Sequence, residues 1–356
     1  MSKTLLIIAL TLLAGCARLD YYVQAVGGHL KVMGAAHPIE EILQNPATDP
    51  ALKKKLENAH AIREFASREL ALPDNDSYRT YADLGRPFAV WNVFAAPEFS
   101  VEPEKWCMVF VGCVGYRGYY DRAEAERYAA ELRRSGLDAY VGGVSAYSTL
   151  GYFSDPVLNT FLRFGDTESA RTIFHELAHQ LLFVDGDTVF NESFAATVES
   201  EGLRRWFAHN GNPDQQQAFA AQQQRKAQFV QLVDSYRTRL RALYAVQQPA
   251  EEMRRAKGEV VADMKRAYAL MKENWGGDAR YDRWFEQDLN NAKIASLGMY
   301  TQLVPAFEAL LEKEGRDLPR FYSRATELAR LPKAGRLAAL SDAGESVSVI
   351  KSAQAE

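Results

Sequence analysis

The chain has 356 residues, 47% of them hydrophobic, and a formal net charge of −4. This length is enough for one large domain or two smaller ones with a sizeable core. Because acidic and basic residues are nearly balanced, the composition gives no support for nucleic-acid binding and predicts a soluble, globular protein.

The N-terminus has the layout of an export signal. One lysine precedes an apolar run from Leu5 to Leu13, which is too short to span a bilayer as a helix. The run ends in "LAGC", which resembles a bacterial lipoprotein cleavage site, so residues 1–15 are a predicted signal peptide and Cys16 a predicted lipidation site. A plain secretory signal with an incidental cysteine is the alternative. By the same resemblance, Ala17 lacks the aspartate of inner-membrane lipoproteins, which predicts an outer-membrane anchor facing the periplasm.

The region 16–100 is predicted to be mainly helical. Apolar residues recur at helical spacing, and helices are expected throughout residues 17–73. One helix should begin at the Asp-Pro of "DPALKKKLENAH", because this pair is a helix start signal. The stretches "LPDNDSYR" and "APEFSVEPE" are predicted loops.

The region 101–165 is predicted to be a small α/β unit. The β-rich "WCMVFVGCVGY", the helical "DRAEAERYAAELRRSG" and the β-rich "LDAYVGGVSAY" follow one another. Cys107 and Cys113 would form a disulfide in an oxidising compartment if the chain turns between them, for example at Gly112; two buried free thiols are the alternative. The strand at 138–146 could bind an extended peptide along its edge, or be ordinary sheet.

The region 166–345 is predicted to be mostly helical. Two long stretches with apolar seams, joined by a short turn before Pro249, predict an antiparallel helical hairpin. The last residues, 346–356, are predicted to be a disordered tail.

The candidate metal-binding and catalytic residues begin in the segment "TIFHELAHQLLF". Its apolar spacing predicts an amphipathic helix over 168–183. His175 and His179 are then one turn apart on one face, so both imidazoles can bind one tetrahedral zinc ion. Glu176 is rotated away from the metal and is the candidate general base of an H-E-x-x-H site.

A zinc site with two histidines needs a third protein ligand and an open position for water. A second helix is predicted with Asn191 as N-cap and Gly211 just beyond its end. Glu192, in its first turn, is the predicted third ligand. Glu199, two turns later on the same face, is predicted to accept a hydrogen bond from a ligand histidine. A metal-free, hydrogen-bonded polar cluster is the alternative interpretation.

At these residues a family resemblance becomes specific. "HELAHQ", then "NESFA", then Glu199 resembles the zinc site of glutamate-zincin peptidases of the aminopeptidase N type. The resemblance implies that His175, His179 and Glu192 bind zinc, that Glu176 is the base and that Glu199 supports the site. "WCMVFVGCVGYRGYY", "SAYSTLGYFSDPVL" and "NNAKIASLGMY" also resemble a bacterial family of "putative aminopeptidase" lipoproteins, over most of the mature chain.

Two departures from the aminopeptidase N pattern concern specificity. The gap between His179 and Glu192 is shorter, and the G-x-M-E-N stretch that binds the substrate amine in that family is absent. Tyr147 and Tyr300 are candidate oxyanion donors, although most tyrosines are packing residues. The predicted activity is zinc-dependent hydrolysis of peptides, with aminopeptidase action as the main expectation.

The predicted fold is α+β and predominantly α-helical, with the small strand–helix–strand region beside a helical zincin-like core and the long hairpin. The competing class is a non-catalytic, membrane-tethered lipoprotein that keeps a structural zinc and binds a partner. An intact Glu176 argues against that class, because a structural site has no use for a base.

Overall fold

The computed structural model describes residues 21–108, 112–210, 213–298 and 303–340, and helices dominate these residues. The helices in chain order are α1 (21–34), α2 (Ile39–Gln44), α3 (Pro50–Leu70), α4 (Arg122–Arg134), α5 (Asn159–Leu162), α6 (Asp166–Leu181), α7 (Thr188–His209), α8 (Pro213–Tyr244), α9 (Ala250–Asn274), α10 (Asp282–Glu286), α11 (Asn291–Gly298), α12 (Val304–Lys313), α13 (Leu318–Ala329) and α14 (333–340). The strands are β1 (Ala36–Pro38), β2 (Thr80–Ala82), β3 (Val90–Pro97), β4 (Trp106–Met108), β5 (Gly112–Val114), β6 (Arg117–Tyr119), β7 (Leu137–Val144) and β8 (Val157–Leu158). The predicted α+β, predominantly α-helical class is confirmed.

The sheet that bears on the site has the strand order β6-β3-β7. β3 pairs antiparallel with both neighbours, and β7 lies at one edge of the sheet. Trp91 and Val93 of β3 pack with α4 in one apolar cluster, whereas Phe94 and Ala96 pack against Ala292 of α11. The sheet is therefore held between α4 and α11, because side chains alternate between its two faces.

The two cysteines lie opposite each other in a second, two-stranded sheet. β4 and β5 run antiparallel with Cys107 directly opposite Cys113, and the two form a disulfide. Gly112 has a φ of +68°, a conformation that favours glycine. The disulfide alternative is confirmed, because antiparallel pairing brings the two residues face to face.

The prediction of helices throughout residues 17–73 is correct for α1, α2 and α3 and wrong at Ala36–Pro38. These three residues form β1, which pairs antiparallel with β2. The predicted Asp-Pro start is confirmed, since α3 begins at Pro50 and Asp49 accepts hydrogen bonds from the backbone amides of Ala51 and Leu52. The short strand was missed because its pairing partner lies more than forty residues away in sequence, at Thr80–Ala82.

The main core lies between α3, α6, α7, α12 and α13. It includes a group of buried aromatic side chains, namely Phe174, Phe190, Phe194, Phe307 and Phe321. Gly202 of α7 lies at a close contact between helices, because a Cβ there would lie 2.7 Å from the Phe174 ring and 2.8 Å from Leu70. Only glycine lets α7 approach α6 and α3 this closely without displacing them.

The predicted helical hairpin is confirmed by α8 and α9, which pack along a second apolar core that includes Phe229, Val233, Met264 and Tyr268. The predicted domain boundaries stay predictions. The signal peptide at 1–15, Cys16, Tyr300 and the tail at 346–356 lie outside the described residues. Among the helices that the structure describes, none combines the length and apolar character needed to cross a bilayer.

Candidate metal centre and cleft

Helix α6 presents the two histidines on one face. Its opposite face is buried in the main core through Ile173, Phe174 and Leu177. The rings of His175 and His179 then lie side by side, with centroids 4.8 Å apart and their Nε2 atoms 3.2 Å apart. The predicted helix and the one-turn spacing of the imidazoles are confirmed.

Helix α7 delivers the third side chain, but its start differs from the prediction. It begins at Thr188, so Glu192 lies in the second turn and Asn191 is not the N-cap. The Asn191 side chain instead accepts a hydrogen bond from the Val184 amide at 2.8 Å and donates one to the Val184 carbonyl at 2.9 Å. Asn191 therefore fixes the turn between α6 and α7. The residue type of Asn191 predicts a cap, but residue type does not reveal that its side chain bonds backward to Val184, seven residues earlier.

Potential ligand atoms of three residues converge between α6 and α7, namely the Nε2 atoms of His175 and His179 and the two carboxylate oxygens of Glu192. Oε2 of Glu192 lies 3.3 Å from Nε2 of His175, and its Oε1 lies 3.7 Å from Nε2 of His179. Tetrahedral zinc with bonds of about 2.0 Å holds its ligand atoms roughly 3.3 Å apart. The separations of 3.2 Å between the imidazoles and of 3.3 and 3.7 Å to the two Glu192 oxygens are therefore close to those that a zinc-sized ion requires. The three are the one such cluster found within the described residues.

Glu199 lies behind the first histidine. Its Oε2 accepts a hydrogen bond from Nδ1 of His175 at 3.0 Å, and the side chain is 3% exposed. Arg171 approaches the same oxygen at 3.4 Å. A neutral His175 that keeps its proton on Nδ1 for Glu199 would direct the lone pair of Nε2 at the convergence point. Nδ1 of His179 is buried and has no hydrogen-bond partner among the described residues.

The electrostatics of the cluster favour positive charge at the convergence point. Burial opposes a charged His175, but Glu192 and Glu199 outweigh burial and raise its pKa to about 10. Burial lowers the pKa of His179 to about 4, against the attraction of Glu192. Burial would also raise the pKa of Glu199, yet Arg171, Lys226 and His175 bring it down to about 2. The ionised carboxylate of Glu192 therefore faces this point, and that of Glu199 lies behind the ring of His175.

Glu176 stands apart from the three convergent donors. Its side chain lines the cleft, and no hydrogen bond or ion pair to its carboxylate is found within the described parts of the chain. Burial raises its pKa to about 7, and repulsion from Glu192 and Asp155 adds to the effect. Ser148 donates to the backbone carbonyl of Glu176, which ties the cleft wall to α6. The carboxylate is thus free to contact a bound molecule.

A cleft of about 520 Å³ opens over the cluster. Its walls come from α1, from the strands β3, β5 and β6, and from the chain that follows β7. The lining residues include Tyr21, Ala25, Asn92, Tyr116, Tyr120, Val144, Ala146, Tyr147 and Leu150. Asn92 is 6% exposed, and its side chain makes no hydrogen bond within the described residues. The cleft therefore offers an unpaired amide beside the edge strand β7.

Two tyrosines of the cleft differ in their partners. The hydroxyl of Tyr147, a sequence candidate, lies 3.0 Å from Nδ1 of His29, and its ring contacts Tyr120 edge-on. Tyr116 has no hydrogen-bond partner among the residues described, and burial together with Glu192 and Glu176 raises the pKa of its phenol. Tyr116 was missed because it stood in a β-rich stretch with several tyrosines and no spacing linked it to the motif.

The fold and the site define a helical α+β protein with a candidate His–His–Glu metal centre beneath a cleft. The chain belongs to the family described as "Putative aminopeptidase", whose model matches residues 20–340. The family indicates a peptidase among the hydrolases. Comparisons with curated proteins and with solved structures found no match.

Proposed function

We propose that this protein is a zinc-dependent peptidase. The observation that carries the proposal is the convergence of the His175, His179 and Glu192 donor atoms beside the unpaired carboxylate of Glu176. The family supports a peptide as the substrate. A cleft open to solvent over this cluster leaves room for a peptide and a water molecule.

The chemistry divides between a bound ion and the chain's own groups. Zinc held by the imidazoles of His175 and His179 and the carboxylate of Glu192 would polarise the scissile carbonyl and acidify the attacking water. Glu176 takes a proton from that water and then passes it to the leaving amine. Glu199 holds the ring of His175 in the orientation and tautomer that present Nε2.

Tyr116 is the proposed donor to the carbonyl oxygen as negative charge develops there. Its hydroxyl is unpaired, faces the cleft and lies within the electrostatic field of Glu192 and Glu176. A donor that is already in place loses little free energy to reorganisation during the reaction. Tyr147 is less suited, because His29 already engages its hydroxyl.

The peptide is proposed to bind along the β7 side of the cleft. β7 ends the sheet order β6-β3-β7, and Val144, Ala146 and Ser148 line the cleft beyond it. An edge strand can pair with an extended peptide through backbone hydrogen bonds. The unpaired amide of Asn92 can supply one further hydrogen bond to the peptide backbone.

The enzyme proposal is tested by Glu176→Gln. This change keeps the side-chain shape and removes the base, so hydrolysis should fall by at least about a hundredfold while zinc content and the unfolding temperature stay the same. Glu69→Gln, an exposed change on α3, is the matched control and should leave the rate unchanged. Cleavage is measured on a peptide library by mass spectrometry, and zinc by elemental analysis.

The outcomes separate the enzyme from a binding module. Wild-type protein that carries zinc and cleaves no peptide supports the non-catalytic alternative. Equal cleavage by wild type and Glu176→Gln refutes the mechanism. Cleavage of peptides with free and with blocked N-termini distinguishes an aminopeptidase from an endopeptidase. An aminopeptidase requires the free amine, and an endopeptidase does not.

We also propose that Cys16 is acylated and anchors the protein to the membrane, as the "LAGC" sequence suggests. Mass spectrometry of the mature N-terminus should find a lipid-modified Cys16. A mature chain that begins at another residue and needs no detergent would refute the anchor without affecting the peptidase proposal.

A further inference from the structure

Helix α1 presents an apolar stripe to solvent. Val23, Val26 and Leu30 are 64%, 57% and 59% exposed. Their spacing of three and four residues places them on one side of the helix. Large apolar side chains exposed singly are ordinary, but a row of three along one helix face is a candidate contact surface.

The loop 148–155 extends this stripe. It carries Tyr152, which is 83% exposed, and Phe153, which is 50% exposed. The Phe153 ring lies 4.6 Å from the ring of His29, which is one turn from Val26 and next to Leu30 on α1. We call the surface made by Val23, Val26, Leu30, Tyr152 and Phe153 the α1 patch.

The α1 patch is presented by a helix that is firmly packed on its other side. A Cβ at Gly28 would lie 2.1 Å from the ring of Tyr120, so α1 contacts that side chain directly. The Gln24 side chain donates to the carbonyl of Gly118 and accepts from the amide of Tyr120, both at 3.2 Å. The opposite side of α1 is therefore held against β6 and Tyr120, and the α1 patch remains exposed.

The position of the proposed anchor indicates what covers the patch. Only five residue steps separate Cys16 from Tyr21, so an acylated Cys16 lies at most about 18 Å from the start of α1. A lipid-anchored protein thus holds the α1 patch close to the bilayer surface. Exposed aliphatic residues with an aromatic pair are the side chains that insert into the headgroup region of a membrane.

We propose that the α1 patch docks on the surface of the phospholipid bilayer in which Cys16 is anchored; this rests on the proposed acylation. Lys31 adjoins the patch, but Asp121 and Glu124 lie near the same helix, so apolar insertion and not anionic lipid drives the contact. Tyr21 and Ala25 of α1 and Leu150 of the loop also line the cleft. Because Tyr21 and Ala25 lie on the face of α1 opposite the patch, docking holds the cleft about one helix diameter from the membrane, and the substrates are peptides near that surface.

The test uses the full lipoprotein in vesicles of phosphatidylethanolamine and phosphatidylglycerol. An environment-sensitive fluorophore is attached to Val26→Cys, to Phe153→Cys or to the control Leu270→Cys, which is 63% exposed on α9. All three positions are exposed, so the variants should fold. Lipids with a quencher on the acyl chain should reduce fluorescence at positions 26 and 153 and leave position 270 unchanged, and phosphatidylcholine vesicles should give the same pattern.

Quenching of the same labels by iodide in the water phase gives the results that would overturn the proposal. If labels at 26 and 153 are quenched by iodide as strongly as the label at 270, the patch is in water and the proposal is overturned. Protection from both quenchers, with a doubled mass in detergent, would assign the patch to a second copy of the chain and also overturn it. An unmodified Cys16 in mass spectrometry would refute the anchor separately.

Discussion

Nδ1 of His175 lies 3.0 Å from Oε2 of Glu199, although the two residues are on different helices and 24 positions apart. The contact fixes the ring of His175 with Nε2 pointing at Glu192 and His179. Because Arg171 approaches the same carboxylate at 3.4 Å, Glu199 is held ionised in a nearly solvent-free position. The orientation of His175, a proposed zinc ligand, therefore depends on Glu199, which is not itself one of the proposed ligands.

Replacement of Glu199 by Gln should weaken zinc binding. The variant keeps a hydrogen-bond acceptor for His175 but loses the charge that makes the ring a stronger ligand, so zinc affinity should fall by about 10- to 100-fold. The measurement is competition with a chromophoric chelator. Glu201→Gln is the control, since Glu201 is equally buried but contacts Arg204, Arg205 and Arg316. Equal losses of affinity in both variants would contradict the assigned role of Glu199.

His175→Ala and His179→Ala should each remove zinc from the purified protein. Binding to the folded state alone stabilises the fold, so both variants should also unfold at a lower temperature than wild type. His60→Ala, at an exposed position on α3, should keep its zinc. Elemental analysis and thermal unfolding measure the two effects. Equal zinc content in all the variants would place the metal elsewhere.

Tyr116→Phe should lower kcat by about a hundredfold or more, because one preorganised donor to the oxyanion is lost. KM, zinc content and stability should change little, since the Tyr116 hydroxyl makes no hydrogen bond within the described residues. Tyr147→Phe is the comparison, and it should mainly lower stability because it breaks the contact with His29. A large kcat loss in Tyr147→Phe with none in Tyr116→Phe would transfer the role to Tyr147.

Glu201 should make the free energy of unfolding depend on pH in the acid range. Burial opposes its charge, but Arg204 and Arg205 bring its pKa to about 2, below the ordinary value of 4.5. A carboxyl group with a lowered folded-state pKa stabilises the fold above its unfolded value, and this contribution is lost as pH falls from about 4.5 toward 2. The shift corresponds to about 3 kcal/mol.

Urea unfolding at several pH values between 5 and 2.5 tests the role of Glu201. Glu201→Gln should flatten the decline seen in wild type, whereas Asp263→Asn, in an exposed pair with Arg239, should leave it nearly unchanged. The same slope in Glu201→Gln and wild type would show that the three arginines do not stabilise the ionised carboxylate.

Much of the helical structure could be predicted from local sequence patterns. The apolar spacing around His175 predicted α6, and the seams on either side of Pro249 predicted the hairpin of α8 and α9. Both predictions succeeded because a helix that packs on one side repeats its apolar residues every three to four positions. The strand at Ala36–Pro38 has no such repeat, and its identity depends on β2.

The start of α7 shows where local rules failed. Asn191 has the residue type of an N-cap, yet its amide spans the turn to Val184. The Asp187 carboxylate lies at the true start of α7, where Arg336 and Lys333 contact it from the far end of the chain. Contacts over such a distance in sequence outweigh the preference of a single residue, and the sequence contains no sign of them.

The sequence by itself determined that two histidines one turn apart share a helix face, that a glutamate follows the first of them, and that two glutamates lie seven residues apart on a second helix. These relations depend only on helical geometry, which spacing encodes. Only the tertiary structure decided that Glu192 meets both Nε2 atoms, that Glu199 meets the Nδ1 of His175, and that Tyr116 faces the same cleft. Those relations depend on how α6, α7 and the sheet pack together, and close packing is set by contacts between residues far apart in the chain.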